Sequence, residues 1–295
     1  MLLPERLSPS QLTQLFETVH TTKPAYAEIC SLLKKIFSLQ EGGLSACRPP
    51  VMSIVETRLD AQRQGGLPLI EKGQILVDWP SMESLFQRLC AAALGENALM
   101  EAAGTTLLER CQSGKLDLKH FGTLLMNDDW PLFEQQAVGS DLQSEVLALL
   151  TYHSIWPSVA IHLNGLKGHL PENEDWQLGY CPFCGSHPML SLLAEDGGRS
   201  LVCSFCRHTW TVPRIFCPYC QNRDAETLGY FFSEAEPEYR VHTCQKCKSY
   251  LKSIDLRQLL RPFHPFLEAA ITAHLDMRAR EDGYLDRTPV WVNIG

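Results

Sequence analysis

The chain has 295 residues and a formal net charge of −8. The length suits two domains better than one, and a 45% hydrophobic fraction is ordinary for a protein with a buried core. The acidic balance argues against a general nucleic-acid binder. Uninterrupted apolar runs of about eighteen residues, the signal of a membrane span, do not occur, so no membrane insertion is expected. Met1 to His20 carries no basic n-region, apolar h-region or twin arginine, so no export signal is expected either. The expectation is a cytoplasmic protein, and in that compartment paired cysteines are more often metal ligands or redox groups than disulfides.

Residues 1–170 read as an all-helical domain. Ser8-Pro9 is a helix start, followed by Leu12, Leu15, Phe16 and Val19 at helical spacing. Ile29, Leu32, Leu33, Ile36 and Phe37 mark a second helix that Gly42-Gly43 should end. A third is expected from about 51 to 64, stopping at Gly65-Gly66. Ser81 is a candidate cap for the next, with Leu85, Phe86 and Leu89 facing inward. Further helices are expected near 96–112, 117–126, 141–153 and 155–167. Cys30, Cys47, Cys90 and Cys111 have no ligand partner at close spacing and read as small buried apolar residues. His20, His120, His153 and His162 are scattered and receive no role. Asp128-Asp129, ahead of Trp130-Pro131, reads as a loop or helix start.

The acidic, polar stretch 171–175 is a candidate linker. Short β-like runs follow at Met189–Leu193, Ser200–Val202, Thr209–Val212, Tyr230–Phe232 and Tyr239–His242. After Lys252 the pattern turns helical again, with Phe266, Leu267, Ala270, Ile271, His274 and Leu275 recurring, and Gly283 is the expected stop. The tail 284–295 then has the composition to pack back on the body.

Four Cys-x-x-Cys pairs lie between the helical parts: Cys181/Cys184, Cys203/Cys206, Cys217/Cys220 and Cys244/Cys247. Two thiolates on one tight turn grip a metal, and two such turns complete a tetrahedron. The intervening gaps are 18, 10 and 23 residues. The two longer gaps each admit a hairpin and the short one is a connector. The first two pairs are therefore expected to share one ion and the last two another. Interleaved pairing and metal-free redox dithiols are the competing readings. His187, His208 and His242 stand close enough to substitute as ligands. Gly185 follows the first turn, where a positive φ is wanted. Arg207, Gln221 and Lys248 take that place in the others, at a cost of about 1 kcal/mol each that metal binding would offset. Ribbons this small do not fold without metal.

A four-sulfur site suits zinc or iron equally: zinc would be structural, and iron would be rubredoxin-like and able to pass one electron. Between Cys181 and Lys252 eight basic residues nearly balance seven acidic ones, and thiolates on two divalent ions turn the region net negative. A zinc ribbon reading nucleic acid would need a basic face instead. The sequence holds no nucleophile elbow, phosphate loop, dinucleotide fingerprint or His-Glu-x-x-His motif, and an ion closed by four sulfurs offers no position to substrate. The expectation is a protein that is not an enzyme.

Several local patterns carry a resemblance. They are Cys-Pro-x-Cys-Gly-Ser at 181–186, Trp210 four residues after Cys206, and Arg214 three before Cys217. Cys244-x-x-Cys247 followed by Tyr250-Leu251-Lys252, Leu275-Asp276-Met277-Arg278 and Glu281-Asp282-Gly283-Tyr284 complete the set. Together they resemble the formate dehydrogenase accessory proteins, the FdhE family, over residues 180–289. Thr209 stands where the family often has an acidic residue. The resemblance implies a cytoplasmic, non-catalytic maturation factor that binds the catalytic subunit of a respiratory formate dehydrogenase before export. It also implies iron in rubredoxin-like sites, two ions per chain with zinc as the alternative, held by the eight paired cysteines. Trp210 and Arg214 would support the sites, and the end of the 275–284 helix would support the client-binding or core surface. An electron carrier or redox sensor on the same scaffold, or a nucleic-acid-binding zinc ribbon, are the other functional readings.

The expected fold is α+β. A helical domain (1–170) precedes two small metal-binding modules (171–215 and 216–255), and a C-terminal helix and tail (256–295) follow.

Overall fold

The computed structural model describes residues 7–171 and 176–292. Most of the candidate linker and the first six residues of the stretch read for an export signal lie outside this range. The architecture is a bundle of eight α-helices against a mixed β-sheet, with two short helices after the sheet.

α1 spans Pro9–Thr22. Ser8 caps it in a reciprocal box: its hydroxyl accepts from Gln11 N, and Gln11 Oε1 accepts from Ser8 N. α2, Ala27–Ala46, runs through Gly42-Gly43 rather than ending there. A Cβ at Gly43 would come 2.9 Å from Leu85 Cδ2, so this glycine serves close packing against α4 and is not a stop signal. α3, Glu56–Gly65, begins later than expected and ends at Gly66 with φ +65°. α4, Trp79–Ala93, is capped by Asp78, whose carboxylate accepts from Ser81 N. Ser81 itself lies inside the first turn, because Trp79-Pro80 occupies the opening positions that proline favours. α5 (Ala98–Gln112) and α6 (Leu118–Met126) are capped by Asn97 and Asp117. Asp129 caps α7, Trp130–Gly139, so the Asp128-Asp129 pair is a helix start.

The two helices expected around residue 154 are one, α8, Ser144–Leu166, with Pro157 inside it. Proline leaves the carbonyl four residues back without its donor. Gln40 Nε2 supplies one at 2.9 Å to His153 O, and so the helix continues. With its short 3₁₀ extension α8 is long and apolar enough to cross a membrane by length and composition, but most of it is buried inside the protein. It is the central helix, packed against α2, α4, α5, α6 and α7.

The six strands are β1 Pro188–Leu193, β2 Arg199–Cys203, β3 Thr209–Val212, β4 Leu228–Ser233, β5 Glu236–Cys244 and β6 Tyr250–Asp255. They form one sheet in the order β3-β2-β1-β6-β5-β4. Two antiparallel three-stranded ribbons meet where β1 and β6 pair in parallel, Ser191 opposite Ser253. Sequence reading missed β6, because its Lys252 and Ser253 break the apolar alternation. Every residue of β1 and β6 is buried, and Ser191 and Ser253 satisfy each other's hydroxyls across the seam.

The expected C-terminal helix is two short ones, α9 Pro265–Ala270 and α10 Ala273–Glu281. Gly283 follows at φ +84°. The tail returns to the body: Trp291 is buried and stacks on Tyr152 at 5.8 Å.

Candidate metal centres

All four Cys-x-x-Cys turns share one backbone design. The N–H of the first cysteine donates to the carbonyl five residues on: Cys181 to Ser186, Cys203 to His208, Cys217 to Asn222 and Cys244 to Ser249, each at 2.9–3.0 Å. The fifth residue of each turn is left-handed, Gly185 at φ +77°, Arg207 at +65°, Gln221 at +58° and Lys248 at +53°. Three side-chain-bearing residues thus adopt the conformation glycine prefers. The tight bend turns amides toward sulfur: Cys203 Sγ accepts from the N–H groups of Phe205 and Cys206 at 3.4 Å.

The structure brings the eight cysteines together as two groups of four, Cys181/Cys184/Cys203/Cys206 and Cys217/Cys220/Cys244/Cys247. In each group the sulfur atoms lie within 4.8 Å of one another. Cys181 and Cys206, and Cys184 and Cys203, are 3.5 Å apart. Cys217 and Cys247, and Cys220 and Cys244, are 3.6 Å apart. These separations are far longer than a disulfide, at about 2.05 Å. Four sulfurs around one ion at about 2.3 Å would sit about 3.8 Å apart, so both groups fit a tetrahedral ion with little adjustment. His187, His208 and His242 belong to neither group.

Burial opposes ionisation of Cys184, yet hydrogen bonds with Cys181, Cys203, Cys206 and Ser186 hold it well below the ordinary thiol range. Burial, then the neighbouring sulfurs, pushes Cys181 and Cys206 well above it. In the second group burial pushes Cys217 and Cys220 up. Burial also opposes ionisation of Cys244, but the amides of Cys247 and Lys246, with Cys220 and Asn222, bring it down to about 7. Four thiol sulfurs gathered this closely are a site that a cation completes.

The groups differ in setting. All four cysteines of the first are buried, whereas Cys220 is exposed and Cys247 half-buried. The helical region closes over the first group. Leu69 N and Ile70 N donate to Pro182 O and Phe183 O, and Gln62 Nε2 also donates to Pro182 O at 2.7 Å. Tyr152, from the middle of α8, donates to Phe205 O at 2.8 Å. Arg207 is buried over the Trp156 ring, 3.9 Å from its centroid. Its guanidinium reaches Tyr152, Gln40 and His153 and does not reach the sulfurs. Lys248 is exposed and donates to Gln245 Oε1.

Trp210 is buried and its indole donates to Leu178 O at 2.9 Å, tying β3 to the entry of the first turn. Arg214 is exposed. The buried arginine nearby is Arg199, which donates to Phe216 O at 2.7 Å and so anchors the connector between the two groups. Nothing in its spacing marked it. The 275–284 motif is joined to Tyr250-Leu251-Lys252: Tyr250 donates to Asp276 and Asp286, and Lys252 to Asp276 and Ala269 O. Leu275, Asp276 and Ala279 are buried and Met277 is exposed. The lone cysteines are all buried, and burial pushes each thiol up, Cys30 to about 11.

Residues 180–214 match the family model described as FdhE, central domain. The chain is 38% identical over 118 residues to the Protein FdhE homolog of Aquifex aeolicus, covering 39% of this chain and 41% of that protein. It is 26% identical over 242 residues to the Protein FdhE homolog of Erwinia tasmaniensis, covering 80% of this chain and 72% of that protein. The first match spans about two fifths of the relative's length. Its fold is similar to the crystal structure of the FdhE protein from Pseudomonas aeruginosa, with a TM-score of 0.73 at 23% identity over 98% of both chains. The resemblance to the FdhE proteins therefore holds in sequence through the first metal-binding turns and in fold along nearly the whole chain.

Proposed function

We propose that the protein is an accessory factor for assembly of a respiratory formate dehydrogenase, acting in the cytoplasm on the catalytic subunit. In this reading Cys181, Cys184, Cys203 and Cys206 hold one metal ion and Cys217, Cys220, Cys244 and Cys247 a second. The carrying observation is the pair of four-sulfur groups at tetrahedral spacing, with the FdhE likeness supplying the client. Iron is the proposed metal, zinc the alternative. Bound iron would supply one-electron chemistry, and zinc a structural link. The chain supplies turns that gather the thiolates and a helical body that seals the first group from water. Closed four-sulfur sites leave no open position for substrate, which favours a non-catalytic role. The proposed division is a helical body (1–170), two modules (171–215 and 216–255) and a C-terminal segment (256–295).

A second reading, electron carrier, is favoured by the exposure of Cys220, which brings the second centre to the surface where a redox partner could approach.

Affinity capture from host cells grown on formate should recover the formate dehydrogenase catalytic subunit, and its consistent absence would end the assembly reading. Metal analysis of anaerobically purified protein should find two ions per chain. A colourless protein holding only zinc would dispose of the electron carrier. The double variant Cys181→Ser/Cys184→Ser should lose one of the two ions.

A further inference from the structure

A cavity of about 230 Å³ lies between the two modules, beside the second cysteine group. Arg199, Arg214 and Arg240 line it together with His242 and Tyr219, and no carboxylate does. Four buried polar atoms of these residues lack a partner among the described residues: Arg199 Nε, Arg240 Nε, Tyr219 Oη and His242 Nε2. Ten such side-chain atoms occur in the described residues, so their concentration around one cavity is not scatter. A buried donor without a partner is destabilising, and more so when charged.

The local charges are also one-sided. Arg240 pairs with Asp255 at 3.0 Å, but that carboxylate is shared with Arg257 at 2.5 Å. Arg199 donates to the carbonyls of Phe216 and Arg214. Neither Arg199 nor Arg214 has a carboxylate partner among the described residues. Burial pushes the Arg199 guanidinium down to about 10, while the neighbouring Cys217 and Tyr219 act to raise it. The thiolates of the second group lie nearby, yet none of the three arginines hydrogen-bonds a sulfur. Much of the remaining wall is apolar, with Ile215, Phe216, Leu228 and Leu251 beside Thr243 and Ser249.

The geometry points to a binding site for a small organic anion: a carboxylate or phosphate group met by Arg199, Arg214 and Arg240, carried on an apolar body that rests against Phe216 and Leu228. Planar guanidinium forks match both kinds of oxyanion, and a mostly apolar pocket with a few convergent polar groups is the usual form of a small-ligand site. Such a ligand would sit against Cys217 and Cys244, which also line the cavity. The inference stands whether or not the assembly reading does.

The test is calorimetric titration of the metal-loaded full chain with benzoate and with phenyl phosphate, and with benzyl alcohol as the uncharged control. Saturable one-to-one binding is expected for at least one anion and not for the alcohol, and the preferred anion identifies the group. The exposed Arg214→Ala variant, which removes no hydrogen bond or ion pair among the described residues, should bind about tenfold more weakly with its metal content unchanged. Arg199→Gln should bind more weakly still. The inference is overturned if neither anion saturates, if benzyl alcohol binds equally, or if Arg214→Ala keeps full affinity. It is equally overturned if the arginine variants lose metal from the second centre while anion affinity stays intact.

Discussion

Lys252 Nζ lies 2.6 Å from Asp276 Oδ2, with side chains only 5% and 7% exposed, and this pair fastens α10 to the inner strand β6. Burial pushes the Asp276 carboxyl up and the Lys252 ammonium down, so each is kept charged by the other. Removing one partner strands a buried charge, a loss of about 3–5 kcal/mol. Asp276→Ala should therefore lower the urea midpoint sharply. The double variant Lys252→Met/Asp276→Leu should cost clearly less, and equal losses in the two would refute this account of the pair.

Tyr152 carries a second long-range link, from α8 to the carbonyl of Phe205 inside the second Cys-x-x-Cys turn. Tyr152→Phe keeps the ring stack with Trp291 and removes the donor to Phe205 O, together with the 3.4 Å acceptor that the hydroxyl offers Arg207 Nε. The expected cost is about 1–3 kcal/mol. Amide exchange at residues 203–208 should quicken while that of β4 and β5 stays unchanged.

Stability should fall on acidification. His153 and His264 are held well below their ordinary value of 6.5, first by burial and then by the Arg207 charge. Both carry a buried ring nitrogen without a partner among the described residues. Below pH 6.5 the unfolded chain takes up protons that the folded chain refuses. Stability is thus full above that pH and lost as pH drops toward the depressed folded values, by about 1.4 kcal/mol per pH unit for each histidine. Urea midpoints between pH 7.5 and 5 should show this slope, and His264→Phe should make it shallower.

The two centres should differ in access. Cys220 is exposed and Cys247 half-buried, whereas the first group is wholly enclosed. Iodoacetamide with a chelator should modify Cys220 first, and metal should leave in two phases with Cys217, Cys220, Cys244 and Cys247 emptied first. Peptide mass mapping over time checks the order, and simultaneous modification of Cys181 would contradict it.

Gly179 is needed for a close approach. A Cβ there would collide with the carbonyl oxygen of Pro218, which lies inside the third Cys-x-x-Cys turn. Gly179→Ala should cost about 1–3 kcal/mol through overpacking. It should also loosen both centres together, seen as faster metal release from each.

The eight cysteines and their local turns were legible in the sequence, because spacing alone places two sulfurs on one bend. Five strands were legible from β-branched and aromatic runs. Helix ends were less so, for identifiable reasons. Gly43 reads as a stop until Leu85 is seen against it. The separate helices expected at 141–153 and 155–167 are one because Gln40, over a hundred residues away, satisfies the His153 carbonyl that Pro157 leaves without a donor. The pairing of Lys252 with Asp276 and the anchoring role of Arg199 also had no local signature. Each depends on chain segments that only the tertiary fold brings together.

The parallel pairing of β1 with β6 bears on how the chain is made. β1 is complete by residue 193, but the neighbour that covers its open edge ends at residue 255. Until that late segment leaves the ribosome, a largely apolar strand presents unpaired backbone groups to any other strand it meets. A nascent or truncated chain ending before Tyr250 should accordingly be prone to aggregate even with its first four cysteines already gathered. The safest point at which to cut this protein is therefore after the sheet closes, and not at the short connector between its two cysteine groups.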